Sequence, residues 1–191
     1  MSIKAEIVAH SLNQQGDELI SVLATFPRII LAEVNTHRML SKNTSSSRAI
    51  PFKRMVQAIQ ENPFIPIAWQ KEHSGMQGTE YFDRPEDISN RIGIWLTARD
   101  NAIRLATDLG PIAGTTKQLA NRLLEPFMWT TMLITGSREG WDNFFRLRCP
   151  FYTMGTSDGF YKSKKDLLKS YPADDSLLRD TLYWLSINKG Q

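Results

Sequence analysis

Residues 33–48 constrain this chain most. They contain two arginines, a lysine, a histidine, two asparagines, four serines and two threonines, with neither glycine nor proline. Without those two breakers the segment is not an ordinary flexible linker. The apolar run Ile29, Ile30, Leu31 and Ala32 leads into it, and Pro51 closes it. Fixed donors and positive charge suit an anion, above all a phosphate. On composition alone, a solvated serine-rich loop accounts for the segment equally well.

The rest of the chain supplies the scaffold. Its 191 residues match one ordinary domain. A chain of this length buries roughly 70% of its unfolded surface, so neither disulfide nor metal is needed. There is one cysteine, Cys149, and His10, His37 and His73 lie far apart with no Cys/His ligand cluster, so no metal site is expected. A net charge of +3 and a sequence pI near 9.0 admit anionic ligands but do not argue for nucleic-acid binding. No signal-peptide core is visible, and no apolar run approaches the roughly 20 residues of a membrane span. The expectation is a cytoplasmic protein with no membrane and no nucleic-acid partner.

The apolar pattern predicts helices and paired strands mixed along the chain, an α+β domain over 1–191. Ile3, Ala5, Ile7 and Ala9 alternate as in a half-buried strand, and residues 19–24 form its partner after a turn at 14–17. Thr25 and Pro27 then open a helix through Ile29, Leu31 and Val34, with the basic segment following as a loop. Pro51 opens a second helix ended at Asn62 and Pro63, and residues 63–78 are irregular. The longest helix covers about 86–109 and stops at Gly110 and Pro111, with Arg99 snorkelling at the edge of its stripe. A shorter helix follows Thr115 or Thr116 and ends at Pro126. Residues 127–135 read as a strand. Ser137 caps a helix over 138–148 whose Trp141, Phe144 and Phe145 face the core. Asn143 and Arg148, five apart, point about 140° from one another. Beyond it lie a solvated charge run at 162–165 and a helix over 176–187.

The spacing within the basic segment is specific. Thr36-His37-Arg38-x-x-Ser41-x-Asn43-Thr44-x-Ser46-x-Arg48 resembles the signature RHRxxSxNExSxR of the flavin-dependent thymidylate synthases (ThyX). Six of its eight specified positions match. Asn121 to Pro126, and Gly136-Ser137-Arg138 followed by Asn143 to Arg148, resemble downstream segments of the family. The resemblance implies a ThyX-like fold, a small antiparallel or mixed sheet flanked by long helices. It implies reductive methylation of dUMP to dTMP, with methylenetetrahydrofolate and NADPH as co-substrates and FAD as cofactor, in a homotetramer whose sites are shared between subunits. Thr36, His37, Arg38, Thr44, Arg138 and Asn143 would contact FAD. Glu33, Asn35, Thr44, Ser46, Ser47, Arg48, Arg122 and Arg148 would contact dUMP, and Arg148 would stabilise the ionised uracil ring. A cysteine nucleophile is not required, and Cys149 is read as a structural thiol.

The chain departs from the signature at Thr36 and Thr44, which replace an arginine and a glutamate. A further difference is an insertion at 150–187 before Gln191, which aligns with the glutamine opening the family's last helix. The alternatives are therefore a related deoxypyrimidine nucleotide or a hydroxymethylated product, a ThyX-like nucleotide-binding protein without turnover, and, least favoured, a basic nucleic-acid-binding domain. The aromatics sit at core spacing, not in an exposed stacking pattern.

Overall fold

The computed structural model describes residues 2–74 and 80–148. The insertion expected at 150–187, the charge run at 162–165, the helix at 176–187, Cys149 and Gln191 lie outside the described residues. In chain order the elements are β1 (Lys4–Leu12), β2 (Glu18–Pro27), α1 (Leu31–Asn35), β3 (Ser41–Thr44), α2 (Phe52–Glu61), α3 (Pro85–Thr107), α4 (Lys117–Ala120), β4 (Trp129–Ser137) and α5 (Arg138–Arg148). Short 3-10 turns cover Arg28–Ile30, Ser47–Ala49 and Asn121–Phe127, and a π turn covers Asp108–Ile112. Two compact units result. Residues 2–26, 30–45 and 130–148 form one, and residues 27–29, 46–74 and 80–129 form the other.

The first unit is built on a four-stranded sheet in the order β1-β2-β4-β3. β1 and β2 are antiparallel from Lys4 opposite Thr25 to Leu12 opposite Glu18, with a bulge between Ile7 and Ala9. Their turn is closed by Asn13, whose side-chain oxygen accepts from the N–H groups of Gln15 and Asp17, while Gly16 supplies a φ of +90°. Ser21 and Thr25 meet Thr135 and Thr131 through their hydroxyls at 2.8 and 3.0 Å. That falling register shows β2 and β4 running in opposite directions. β4 alternates as a half-buried strand should, with Thr130, Met132, Ile134 and Gly136 buried and Thr131, Leu133 and Ser137 exposed. Met132 and Ile134 pack with Phe26, Leu40 and Trp141, and Phe144 and Phe145 of α5 complete that core. Ser137 caps α5 as expected, its Oγ accepting from the Gly140 N–H at 3.2 Å.

The second unit is helical. Met55 and Ile59 of α2 pack with Ala106, Leu124, Phe127 and Met128, and Trp95, Ala102 and Ile103 of α3 lie against them. Trp95 donates from Nε1 to the Phe64 carbonyl at 2.8 Å. Arg99 stays at the margin and pairs with its neighbour Asp100 at 2.7 Å.

Three expectations need correction. The helix expected from Thr25 begins only at Leu31, because β2 runs on to Pro27. Pro27 cannot donate to a ladder, and the next N–H, of Arg28, goes to the Met128 carbonyl at 2.8 Å. The basic segment is not one loop. Residues 41–44 are a strand paired with β4, from Ser41 opposite Thr135 to Thr44 opposite Met132, because the far edge of β4 needs partners for its backbone groups. The alternation in β1 does not mark a buried face: only Ala5 of its nine residues is even half-buried.

Candidate functional site

The motif residues divide between the two units. In the first, α1 ends in a turn that presents His37, with the His37 N–H donating to the Val34 carbonyl. The His37 carbonyl receives the Leu40 N–H and the Lys42 Nζ, so the turn is tied to β3 at its base. The His37 side chain is only 8% exposed, and its ring lies edge-on to Phe144 with centroids 4.7 Å apart. Its Nε2 accepts a 2.8 Å hydrogen bond from Nε of Arg148, the last residue of α5. An Nε2 lone pair used this way places the ring proton on Nδ1. Burial, then Arg148, then Lys42 push the His37 pKa below the ordinary imidazole value, so the ring is neutral at neutral pH. Burial also lowers the Lys42 pKa.

Two glycines let the turn and the helix approach this closely. A Cβ at Gly140 would stand 2.9 Å from the Met39 carbonyl oxygen, and one at Gly136 would strike the Leu40 side chain. The sequence reading missed Lys42 as part of this arrangement. Its only signal was its place inside the motif, at an unspecified position.

The other expected flavin and nucleotide contacts of this unit have mixed surroundings. Arg38 is exposed and makes no side-chain hydrogen bond or ion pair among the described residues. Arg138 reaches Glu18 at 3.3 Å and Asp142 at 3.6 Å. Asn143, half-buried, accepts from Arg146 through Oδ1 at 2.9 Å, and its amide N–H groups make no hydrogen bond among the described residues. Thr36 donates its hydroxyl to the Glu33 carbonyl at 2.6 Å, and Glu33 and Asn35 are exposed on α1. Thr44 donates to the Thr131 carbonyl at 2.8 Å and meets the Thr130 hydroxyl at 2.9 Å. Its hydroxyl is therefore spent on β4.

In the second unit the turn Ser47–Ala49 carries Arg48, and the turn Asn121–Phe127 carries Arg122. Both arginines are exposed, and neither side chain has a polar partner among the described residues. Ser46 caps the first turn, its Oγ accepting from the Arg48 N–H. Ser47 is buried instead, and its hydroxyl donates to Glu125, which also pairs with the buried Arg28 at 3.3 Å. Asn121 is fully buried and donates from Nδ2 to the carbonyls of Ser47 and Ile50 at 2.8 and 2.9 Å. These two bonds fasten one arginine-bearing turn to the other. Neither Asn121 nor Glu125 carried a role in the sequence reading, because a buried staple has no motif of its own.

Among the described residues no group of three or more His, Cys, Asp or Glu side chains is placed to hold a metal ion. No helix among them is long and apolar enough to cross a membrane.

No protein-family model matches the chain, and no curated protein sequence matches it. Solved structures do. The UMP/dUMP methylase PolB from Streptomyces cacaoi bound with 5-Br UMP is similar over 76% of this chain and 76% of its own, with a TM-score of 0.57 at 16% identity. The same methylase bound with 5-Br dUMP is similar over 88% of this chain and 71% of its own, with a TM-score of 0.55 at 14% identity. The likeness establishes the fold, the α+β, ThyX-like arrangement expected from the motif.

Proposed function

We propose that this chain is an enzyme that modifies C5 of a uracil nucleotide, by flavin-dependent methylation of dUMP or UMP. The observation that carries the reading is the convergence of His37 and Arg148, two motif residues 111 positions apart, at a 2.8 Å hydrogen bond. It sits in a fold shared with a protein that methylates UMP and dUMP.

Arg148 is the proposed catalytic residue. Bond formation at C5 loads negative charge onto the uracil ring, and a guanidinium held beside it stabilises that charge where it develops. Arg48 and Arg122, exposed and unpaired among the described residues, are the proposed phosphate ligands, whichever copies of the chain supply them. Ser46 offers a hydroxyl beside Arg48. Ser47 and Thr44 offer none, since theirs are spent on Glu125 and on β4.

Arg38, Arg138 and the amide of Asn143, all in the first unit, are the proposed FAD contacts. Arg138 is exposed but already pairs with Glu18 at 3.3 Å and Asp142 at 3.6 Å, so a cofactor oxygen would compete with both carboxylates. When bound, the flavin supplies the hydride, drawn from NADPH, that completes transfer of the one-carbon unit from methylenetetrahydrofolate. The protein's own part is to orient the ring, balance its charge and exclude water.

A homotetramer accords with the exposed apolar residues. Ile94, Ala98 and Leu105 of α3 are spaced four and seven apart and are all exposed. Such a seam suits a second helix. Sedimentation checks the assembly.

Tritium release from C5-labelled dUMP and UMP, with methylenetetrahydrofolate, NADPH and FAD, tests the proposal. The expected result is release that requires all three and vanishes in Arg148→Ala. Uridylate binding with neither release nor bound flavin would favour the binding-protein alternative. Failure to bind any uridylate would overturn both.

A further inference from the structure

We propose that His37 is a positioning residue for Arg148: the neutral imidazole holds the guanidinium by Nε, and protonation of the ring releases it. The inference rests on the reading of Arg148 as the arginine that meets the uracil ring.

Arg148 is the final residue of α5 and its side chain is exposed. A long exposed arginine side chain samples many rotamers, and fixing it costs conformational entropy. Its described polar contact is the His37 Nε2. Using Nε leaves both terminal nitrogens, the flat fork of the guanidinium, available to a planar partner with an ionised N–C–O edge.

The imidazole and the turn that carries it are both held. The ring is buried against the Phe144 edge, the His37 backbone carbonyl is bound by Leu40 N–H and Lys42 Nζ, and the Met39 carbonyl lies close over Gly140. An acceptor this rigid sets the direction of the arginine it binds.

Protonation removes that acceptor. A proton on Nε2 would meet the Arg148 N–H head-on, and the new charge would face Arg148 from α5 and Lys42 from β3, both cationic. No carboxylate pairs with His37 among the described residues. Nothing there offsets the repulsion, so the guanidinium leaves. Lowered basicity of the ring places this release on the acid side of neutrality.

The test uses the full chain and two independent readouts. The first is nitrogen NMR of the histidine rings through a pH titration, in the wild type and in Arg148→Gln. His37 is expected as the Nδ1–H tautomer at neutral pH, with a midpoint that rises when the Arg148 charge is removed. The second is the affinity for UMP and dUMP at one pH above and one below the His37 midpoint that the titration reads. The wild type should bind more weakly at the acid value. His37→Leu should bind roughly tenfold more weakly at both, one charge-assisted hydrogen bond's worth. His37→Gln, which keeps a neutral acceptor, should recover most of that loss and flatten the pH profile.

The inference is overturned if His37→Leu binds like the wild type while Arg148→Gln does not. It is also overturned if the His37 signals show Nε2–H at neutral pH or ignore Arg148→Gln. If no uridylate binds, the role of Arg148 fails, and the spectra alone decide whether His37 holds it.

Discussion

Asn121 offers the sharpest check on how the arginine-bearing turns are held. Its Nδ2 donates to the Ser47 and Ile50 carbonyls at 2.8 and 2.9 Å, and its residue is fully buried. Its Oδ1 has no hydrogen-bond partner among the described residues. Two donors' worth of bonding fixes the amide orientation, since the flipped form would set oxygen against two oxygens. Asn121→Ala removes two hydrogen bonds at about 1 kcal/mol each and takes the side-chain donor from both carbonyls, of which that of Ser47 keeps the Ile50 N–H, while removing one orphan oxygen in partial offset. The expected loss is about 2–3 kcal/mol. Asn121→Asp is closer in shape and should be worse, because its carboxylate faces those same two carbonyls in a buried site; about 4 kcal/mol is expected at alkaline pH. Burial raises the folded-state pKa of such a carboxyl above its unfolded value. The folded state then binds more protons, so the stability of Asn121→Asp should improve as pH falls and decline as it rises. Chemical denaturation followed by tryptophan fluorescence, with unchanged slope, measures both. An Asn121→Ala loss below about 1 kcal/mol, or an Asn121→Asp variant as stable as wild type with no pH dependence, would refute the staple.

Further expectations follow from the same geometry. Gly140→Ala should destabilise by about 1 kcal/mol despite its better helix propensity, because its Cβ meets the Met39 backbone oxygen at 2.9 Å; thermal denaturation reads the sign. Protons should weaken the fold through His37. Its folded pKa lies below the unfolded value, so stability is full above the ordinary imidazole range and is lost as pH falls toward the folded pKa, and His37→Gln should remove that component from the stability–pH curve. Arg48→Ala and Arg122→Ala should each weaken uridylate binding about tenfold and leave the denaturation midpoint unchanged, since both side chains are exposed; a matched fall in stability would instead make them structural.

Much of the architecture could be read in advance where the pattern is local. The helix from Pro51 to Asn62, the long helix after Pro85 and the capped helix from Ser137 each announce themselves by proline, capping residues and helical spacing within one stretch. Arg38, Arg48, Arg122 and Arg148 could be named because the motif and its downstream segments keep fixed distances along the chain. The strand at 41–44 could not. Ser41, Lys42 and Asn43 have little strand tendency of their own, and β4, nearly 90 residues later, imposes the conformation.

The same division separates chemistry from geometry. Amino-acid order by itself determined which donors the chain owns and that a phosphate-like anion would suit them, since charge and hydrogen-bonding capacity belong to each residue wherever it lies. Only the tertiary structure decided which donors remain available: it spent the hydroxyls of Ser47 and Thr44 on Glu125 and β4, and gave His37 to Arg148. A hydrogen bond depends on approach within about 3 Å, and that distance is set by packing between segments far apart in the chain.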